Sequence, residues 1–282
     1  MTTSTPDGAP PPDRGLLLPR ARRLARSLRA RAGRARAAYR TPAQAPVAPV
    51  DYERIEQMIR QVAEELWQRR SDMNAVMQDI ALRDSAQFVL DHIPLHLGKT
   101  HYELRRDAVL AAPDGLFLEF GVWTGSWLRQ MAAVRPVQFC GFDSFEGLPE
   151  AWSTLKAGEF DLGGQLPDMP DNVTLVKGWF SDSLPAFLEE HPEPVAFIHV
   201  DCDLYTSAKT VFDLLAPRLH PGAQIVLDDF MFMPGWQEQE HRAFFEYVND
   251  NAVAWEYTGY SKDFPACSAS VQLIEPVLGG SR

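Results

Sequence analysis

The hydrophobic pattern is sharpest over residues 196–230. Phe197, Ile198, His199 and Val200 form a mostly apolar run that stops at Asp201 and Asp203, and Ile225, Val226 and Leu227 form a second that stops at Asp228 and Asp229. Short runs rich in β-branched residues and bounded by turn signals predict buried parallel strands. Between them Val211, Leu214, Leu215 and Leu219 recur at helical spacing, and Pro221-Gly222 predicts the turn that closes the βαβ unit. Upstream, apolar runs at 116–120, 137–142 and 173–176 predict three more strands. Residues 255–260 and 268–274 roughly alternate with period two and predict a terminal antiparallel hairpin. From residue 51 to about 97 the period is helical, with one stripe at Ile55, Ile59, Val62 and Leu66 and another at Met73, Val76, Met77 and Ile80. A further helix is predicted over 237–248. The stretch 150–172, broken by glycine and proline, predicts a lid or substrate loop.

Strands that alternate with helices predict an α/β fold: a three-layer sandwich around a mostly parallel, seven-stranded sheet that ends in an antiparallel hairpin. The expected divisions are a disordered Arg- and Pro-rich tail at 1–50, a helical cap at 51–110 and the sheet domain at 111–276. The N-terminal helices are expected to cover the sheet; the alternatives are a homo-oligomer contact or a lid over the acceptor site.

A right-handed crossover places the strands at 197–200 and 225–227 side by side, with their carboxyl ends on one edge. That edge is where open α/β sheets bind ligands. Asp201, Asp203, Asp228 and Asp229 should therefore converge. Packing them together is unfavourable without a cation, and all-oxygen ligands favour a hard divalent ion such as Mg²⁺. The alternative is that these acids only cap the helices that follow.

The run at 116–120 leads into Glu119-Phe-Gly121-Val-Trp123-Thr-Gly125-Ser126, a strand, a glycine turn and a helix start. This lacks the close glycine pair of a dinucleotide fingerprint. A pyrophosphate would be repelled by Glu119. A carboxylate there suits a positively charged ligand such as S-adenosylmethionine, or it caps the helix. Asp143, at the end of the next strand, stands where an acid holds ribose hydroxyls, with Ser144 beside it. Trp179 and Phe180, after the third strand, could stack on a purine or belong to the core. His241, on the helix at 237–248, could face the acidic cluster.

Charge sharpens this picture. The net charge is −11, but residues 1–50 hold ten arginines and two aspartates and net +8, leaving −19 on the other 232 residues. An acidic body excludes nucleic acid as the expected partner and suits a cationic cofactor or a metal. The basic segment reads as a solvated tail, a surface anchor or a transit peptide. No apolar run is long enough to span a membrane. Three cysteines without paired spacing and no visible signal peptide lead to an expected cytoplasmic location.

Four motifs in order, Glu119-Phe-Gly121-Val-Trp-Thr-Gly125, Gly141-Phe-Asp143-Ser-Phe-Glu-Gly147-Leu-Pro149, Asp201-Cys-Asp203-Leu-Tyr205 and Asp228-Asp229-Phe230, resemble the macrocin O-methyltransferase family. The resemblance covers about residues 100–275. It implies a class I methyltransferase, Rossmann-like fold and S-adenosylmethionine-dependent transfer of a methyl group to a hydroxyl of a small molecule, a sugar or natural product. By the resemblance Asp201, Asp228 and Asp229 match metal-binding acids, and Glu119, Gly121 and Asp143 match the cofactor site. Trp123, Gly125, Ser126, Ser144, Trp179, Phe180 and Asp201 complete the expected cofactor contacts. Asp201 or His241 is expected to take the proton. Phe230 stands where the family often has tyrosine. The rival expectations are a non-catalytic methyltransferase-like binding protein and an NAD-dependent oxidoreductase.

Overall fold

A computed structural model describes residues 51–263 and 268–275. The basic segment at 1–50 lies outside the described residues. The chain divides into two units, Met1–Val76 and Met77–Arg282.

In the first unit, helix α1 (Tyr52–Ser71) begins at Asp51, whose Oδ1 accepts the backbone N–H of Arg54 at 2.9 Å. That is an N-cap contact. The apolar stripe is present, and Ile55, Val62 and Leu66 on it are exposed.

The second unit holds the rest of α2 (Met73–His92) and the sheet. Helix α3 (His101–Ala111) starts with a capping box between Thr100 and Glu103. The strands are β1 (Gly98–Lys99), β2 (Leu116–Phe120), β3 (Phe139–Asp143), β4 (Val173–Lys177), β5 (Val195–Val200), β6 (Leu219–Leu227), β7 (Ala254–Ser261) and β8 (Ala269–Ile274). Their order across the sheet is β1-β7-β8-β6-β5-β2-β3-β4. From β6 through β5, β2 and β3 to β4 every pair is parallel, and β8 is antiparallel to both β6 and β7. Helices α4 (Ser126–Ala132), α5 (Phe180–Glu190), α6 (Tyr205–Leu215) and α7 (Glu240–Asp250) complete the alternation.

Two expectations change. The sheet has eight strands, because Gly98–Lys99 adds a two-residue edge strand parallel to β7; two residues carry no detectable period. Pro221-Gly222 does not end a helix before a fresh strand. It lies inside β6, where the pairing with β5 shifts register between Val195 and Phe197. His220 and Pro221 are exposed there, so the missing proline N–H breaks no buried ladder.

The period-two alternation of the central strands sorts side chains between two cores. Leu118, Phe120, Ile198, Val200, Ile225 and Leu227 pack into one. Phe117, Phe197 and Val226 pack into the other, together with Leu104 and Val109 of α3. By the same alternation Glu119, His199 and Asp228 fall on the α3 face. Three ionisable residues thus stand in neighbouring strands on a face otherwise apolar.

Candidate active site

The first wall of the site is mostly backbone. Gly121 follows β2 with φ +92°, and a Cβ there would lie 1.7 Å from the carbonyl oxygen of Asp201. The two strand ends touch at this point, so only glycine fits. The chain then turns through Trp123 at φ +45° and Gly125 at φ +73° into α4. Asp143 holds this turn: its Oδ2 accepts the N–H groups of Val122 and Trp123, both at 2.8 Å, and its Oδ1 accepts that of Phe145 at 2.7 Å. The Ser144 hydroxyl accepts from the N–H of Glu146 at 3.1 Å.

A cavity of about 640 Å³ opens against this wall. That is an ordinary size for a small-molecule site. Trp123 and Trp179 expose much of their rings at its rim, and Phe160 packs edge-on against Trp123 at 5.5 Å.

The second wall is acidic. Asp201 N–H donates to Phe120 O at 2.9 Å and Asp228 N–H to Val200 O at 2.8 Å, so the sheet ladder runs one residue past each strand. The acids therefore stand on adjacent rungs. Asp201, Asp228 and Asp229 each offer an oxygen within 4.8 Å of the others. In an octahedral Mg²⁺ site neighbouring ligands stand about 2.9 Å apart and opposite ones about 4.2 Å, so the three side chains would close in to share one ion. Burial, with Asp228 and Asp229 adding to it, pushes Asp201 well above the usual carboxylate range. Burial pushes Asp203 to about 6. Acids held in this state suit a bound cation.

Asp228 is the exception. Burial alone would raise it, but the Arg105 guanidinium, His101 and His199 outweigh burial and hold it well below its ordinary value. Arg105 is fully buried on α3 and donates through Nη2 to Asp228 Oδ1. The same oxygen meets His101 Nε2 at 3.1 Å and the Ser268 hydroxyl at 2.8 Å. Arg105 Nε donates to His199 Nε2 at 3.0 Å, and His199 Nδ1 lies 2.8 Å from Glu119 Oε1. With Nε2 accepting, the proton of His199 belongs on Nδ1. A continuous, mostly buried chain, Glu119–His199–Arg105–Asp228, thus ends at the cavity wall. The Arg105 guanidinium also sits 4.0 Å over the ring of Trp127, which lines the cavity.

Of the residues singled out from sequence, Gly121, Trp123, Ser126, Asp143, Ser144, Trp179, Phe180, Asp201, Asp203 and Asp228 line the cavity. Phe180 also packs edge-on against Phe120 at 5.4 Å, so it serves core and cavity together. Gly125, Asp229, Glu119 and His241 are not part of the lining. Asp229 joins the acid cluster just behind it. Glu119 is turned beneath the turn at Gly121, buried against His199, and its Oε2 has no hydrogen-bond partner. His241 faces rings rather than acids: Phe88, Phe230, Trp236 and Phe245 lie 4.6–5.3 Å from it, centroid to centroid. Burial there lowers its pKa to about 4. It is a core imidazole in this structure, which removes the geometry expected of a proton acceptor at the acids.

Arg105, His199 and Glu240 join the site although no sequence motif marks them as site residues. The signal for His199 was present, since counting by two from Phe197 puts it on the α3 face beside Glu119. Nothing local marks Arg105 or Glu240.

The sheet order, the glycine turn after β2 and the acids at the ends of β3, β5 and β6 make an open α/β arrangement that gathers ligand-binding groups at the carboxyl ends of its strands. Residues 118–230 match the family model described as a methyltransferase domain. A 4'-O-methyltransferase of Streptomyces olivaceus, named for a rhamnosyl-tetracenomycin C, is 31% identical over 143 residues, covering 41% of this chain and 53% of that protein. Demethyldecarbamoylnovobiocin O-methyltransferase of Streptomyces niveus is 25% identical over 177 residues, covering 51% and 66%. The chain spans 53–66% of the length of the curated relatives it matches. Among solved structures, the calicheamicin methyltransferase CalS11 aligns with a TM-score of 0.48 at 23% identity, over 66% of this chain and 85% of that one. No helix among the described residues is long and apolar enough to cross a membrane.

Proposed function

We propose that the protein is an S-adenosylmethionine-dependent O-methyltransferase that uses Mg²⁺ and methylates a hydroxyl of a small molecule, a sugar or sugar-bearing natural product. The observation that carries this reading is the juxtaposition of Asp201, Asp228 and Asp229, within 4.8 Å of one another, with a cavity whose other wall is the turn at Gly121. The relatives named as O-methyltransferases support the reaction class, and the glycoside in the name of the first supports the acceptor class.

Asp201, Asp228 and Asp229 would hold the metal. Asp143 keeps acceptor capacity at the rim for ribose hydroxyls, and Trp179 offers a ring face for adenine. When bound, S-adenosylmethionine supplies an electrophilic methyl and Mg²⁺ lowers the pKa of an alcohol. The chain's own task is then to orient the hydroxyl and receive its proton. Asp203 lines the cavity beside these acids, so its carboxylate can receive the proton. Asp201 remains a candidate for that role, and Asp203 takes the place of His241. The aromatic rim at Trp123 and Phe160 helps exclude water.

The test is methyl transfer from labelled S-adenosylmethionine to a panel of glycosides and phenols, with and without chelator. The reading requires transfer to at least one hydroxyl acceptor, loss of it in EDTA and return with Mg²⁺. Full activity in EDTA removes the metal, and binding of the cofactor without transfer to any acceptor leaves a non-catalytic binding protein.

A further inference from the structure

The acidic strand ends are held together by a residue outside the matched segment. Past Asp201 and Asp228 the sheet ladder stops, and the next backbone N–H groups need other acceptors. Glu240 supplies them. It is the first residue of α7, fully buried, and its Oε1 accepts from the N–H groups of Cys202 at 3.1 Å and Asp203 at 3.2 Å. Its Oε2 accepts from the N–H of Asp229 at 3.1 Å. One carboxylate therefore bridges the loop after β5 to the loop after β6. The preceding residue extends the same contact, since Gln239 Oε1 accepts the N–H of Tyr205 at 3.0 Å.

We propose that Glu240 is a positioning residue for the divalent cation. By tying the Asp201–Asp203 loop to Asp229 it sets the separation of the three acids before any ion arrives. The inference rests on the metal reading above. A buried carboxylate among four aspartates is unfavourable on electrostatic grounds, and the helix N-terminus offsets only part of that. Three hydrogen bonds to backbone, shared between two loops, are a geometric reason for it to be there. Glutamate is specific to this role. Glutamine has the same shape, but it offers one oxygen, and its NH₂ would meet an N–H donor at one of the two loops. Groups that orient metal ligands are typically worth 10- to 100-fold in metal affinity.

The experiment is calorimetric titration of Mg²⁺ and, separately, S-adenosylhomocysteine into wild type and Glu240→Gln, with amide hydrogen exchange on both. The expected result is a Mg²⁺ Kd roughly 10- to 100-fold higher in the variant, an unchanged S-adenosylhomocysteine Kd, and faster exchange confined to Cys202, Asp203 and Asp229. A variant that is merely less stable, with both affinities intact, overturns the inference and leaves the metal reading standing. A wild type that binds no Mg²⁺ overturns both. If Glu240→Gln does not fold, exchange in metal-free wild type decides: slow amides at those three positions support a preformed clamp, and rapid exchange that slows only with Mg²⁺ contradicts it.

Discussion

At the glycine end of the cavity the wall is backbone, held open by positive φ at Gly121, Trp123 and Gly125 and fixed by one carboxylate, Asp143. At the acidic end it is half-buried carboxyl side chains, and their supports come from α3 and α7. The first end lies wholly inside the matched segment 118–230; the second depends on Arg105, Glu240 and Ser268, which lie outside it. A shared cofactor can be met by a local turn. Gathering like charges needs counter-charges and hydrogen-bond partners brought from elsewhere in the chain.

The contrast breaks most sharply at Asp228. Asp228→Ala should reduce methyl transfer to background while S-adenosylhomocysteine still binds, as calorimetry would read. It also leaves Arg105 buried without its carboxylate, which costs about 3–5 kcal/mol of stability in chemical denaturation. A wild-type rate in this variant removes Asp228 from the mechanism. At the other end, Gly121→Ala sets a methyl against the Asp201 carbonyl in a backbone conformation alanine disfavours. It should cost more than about 1 kcal/mol and weaken S-adenosylhomocysteine. Because the clash falls on Asp201, Mg²⁺ affinity should fall too, and an unchanged Mg²⁺ Kd would show the two ends to be independent.

A smaller effect is expected at the rim. Trp179→Ala should weaken S-adenosylhomocysteine about fivefold, the equivalent of about 1 kcal/mol of stacking, with Mg²⁺ affinity untouched. Equal loss of both ligands would place Trp179 in the core rather than on the cofactor.

The mildest effect is a pH slope in the metal-free protein. Asp201 and Glu240 are raised well above their ordinary values, first by burial. A raised acid contributes stability that is complete below its unfolded pKa and is lost as pH rises through the folded one. His241, lowered to about 4, acts in the opposite sense, but only as pH falls below about 6.5. Between pH 6.5 and 8.5 the Tm in EDTA should therefore drift down, and Mg²⁺ should flatten the drift. A Tm that rises with pH in EDTA contradicts the acidic reading of this wall.

Much of the fold is legible in the chain itself, because apolar runs of three to six residues, most ending in an acid or a glycine, repeat through it. The glycine wall was equally accessible, since Gly121 and Asp143 act within one turn and its neighbouring strand. The acidic wall was accessible only in part. Asp201 and Asp228 are marked by the strands they end. Arg105 lies on a helix whose composition gives no sign of a buried charge, and it meets Asp228 across 123 residues of sequence. His241 shows the converse: a histidine in the first turn of a helix can point either way, and the aromatic side chains around it decide. The edge strand at Gly98–Lys99 is too short for any periodicity.

The most direct test of the central claim is anomalous diffraction from crystals grown with S-adenosylhomocysteine and Mn²⁺ in place of Mg²⁺. The account predicts one strong peak bounded by the carboxylates of Asp201, Asp228 and Asp229, beside the cofactor's sulfur. Density for the cofactor with no peak among these three side chains would contradict it.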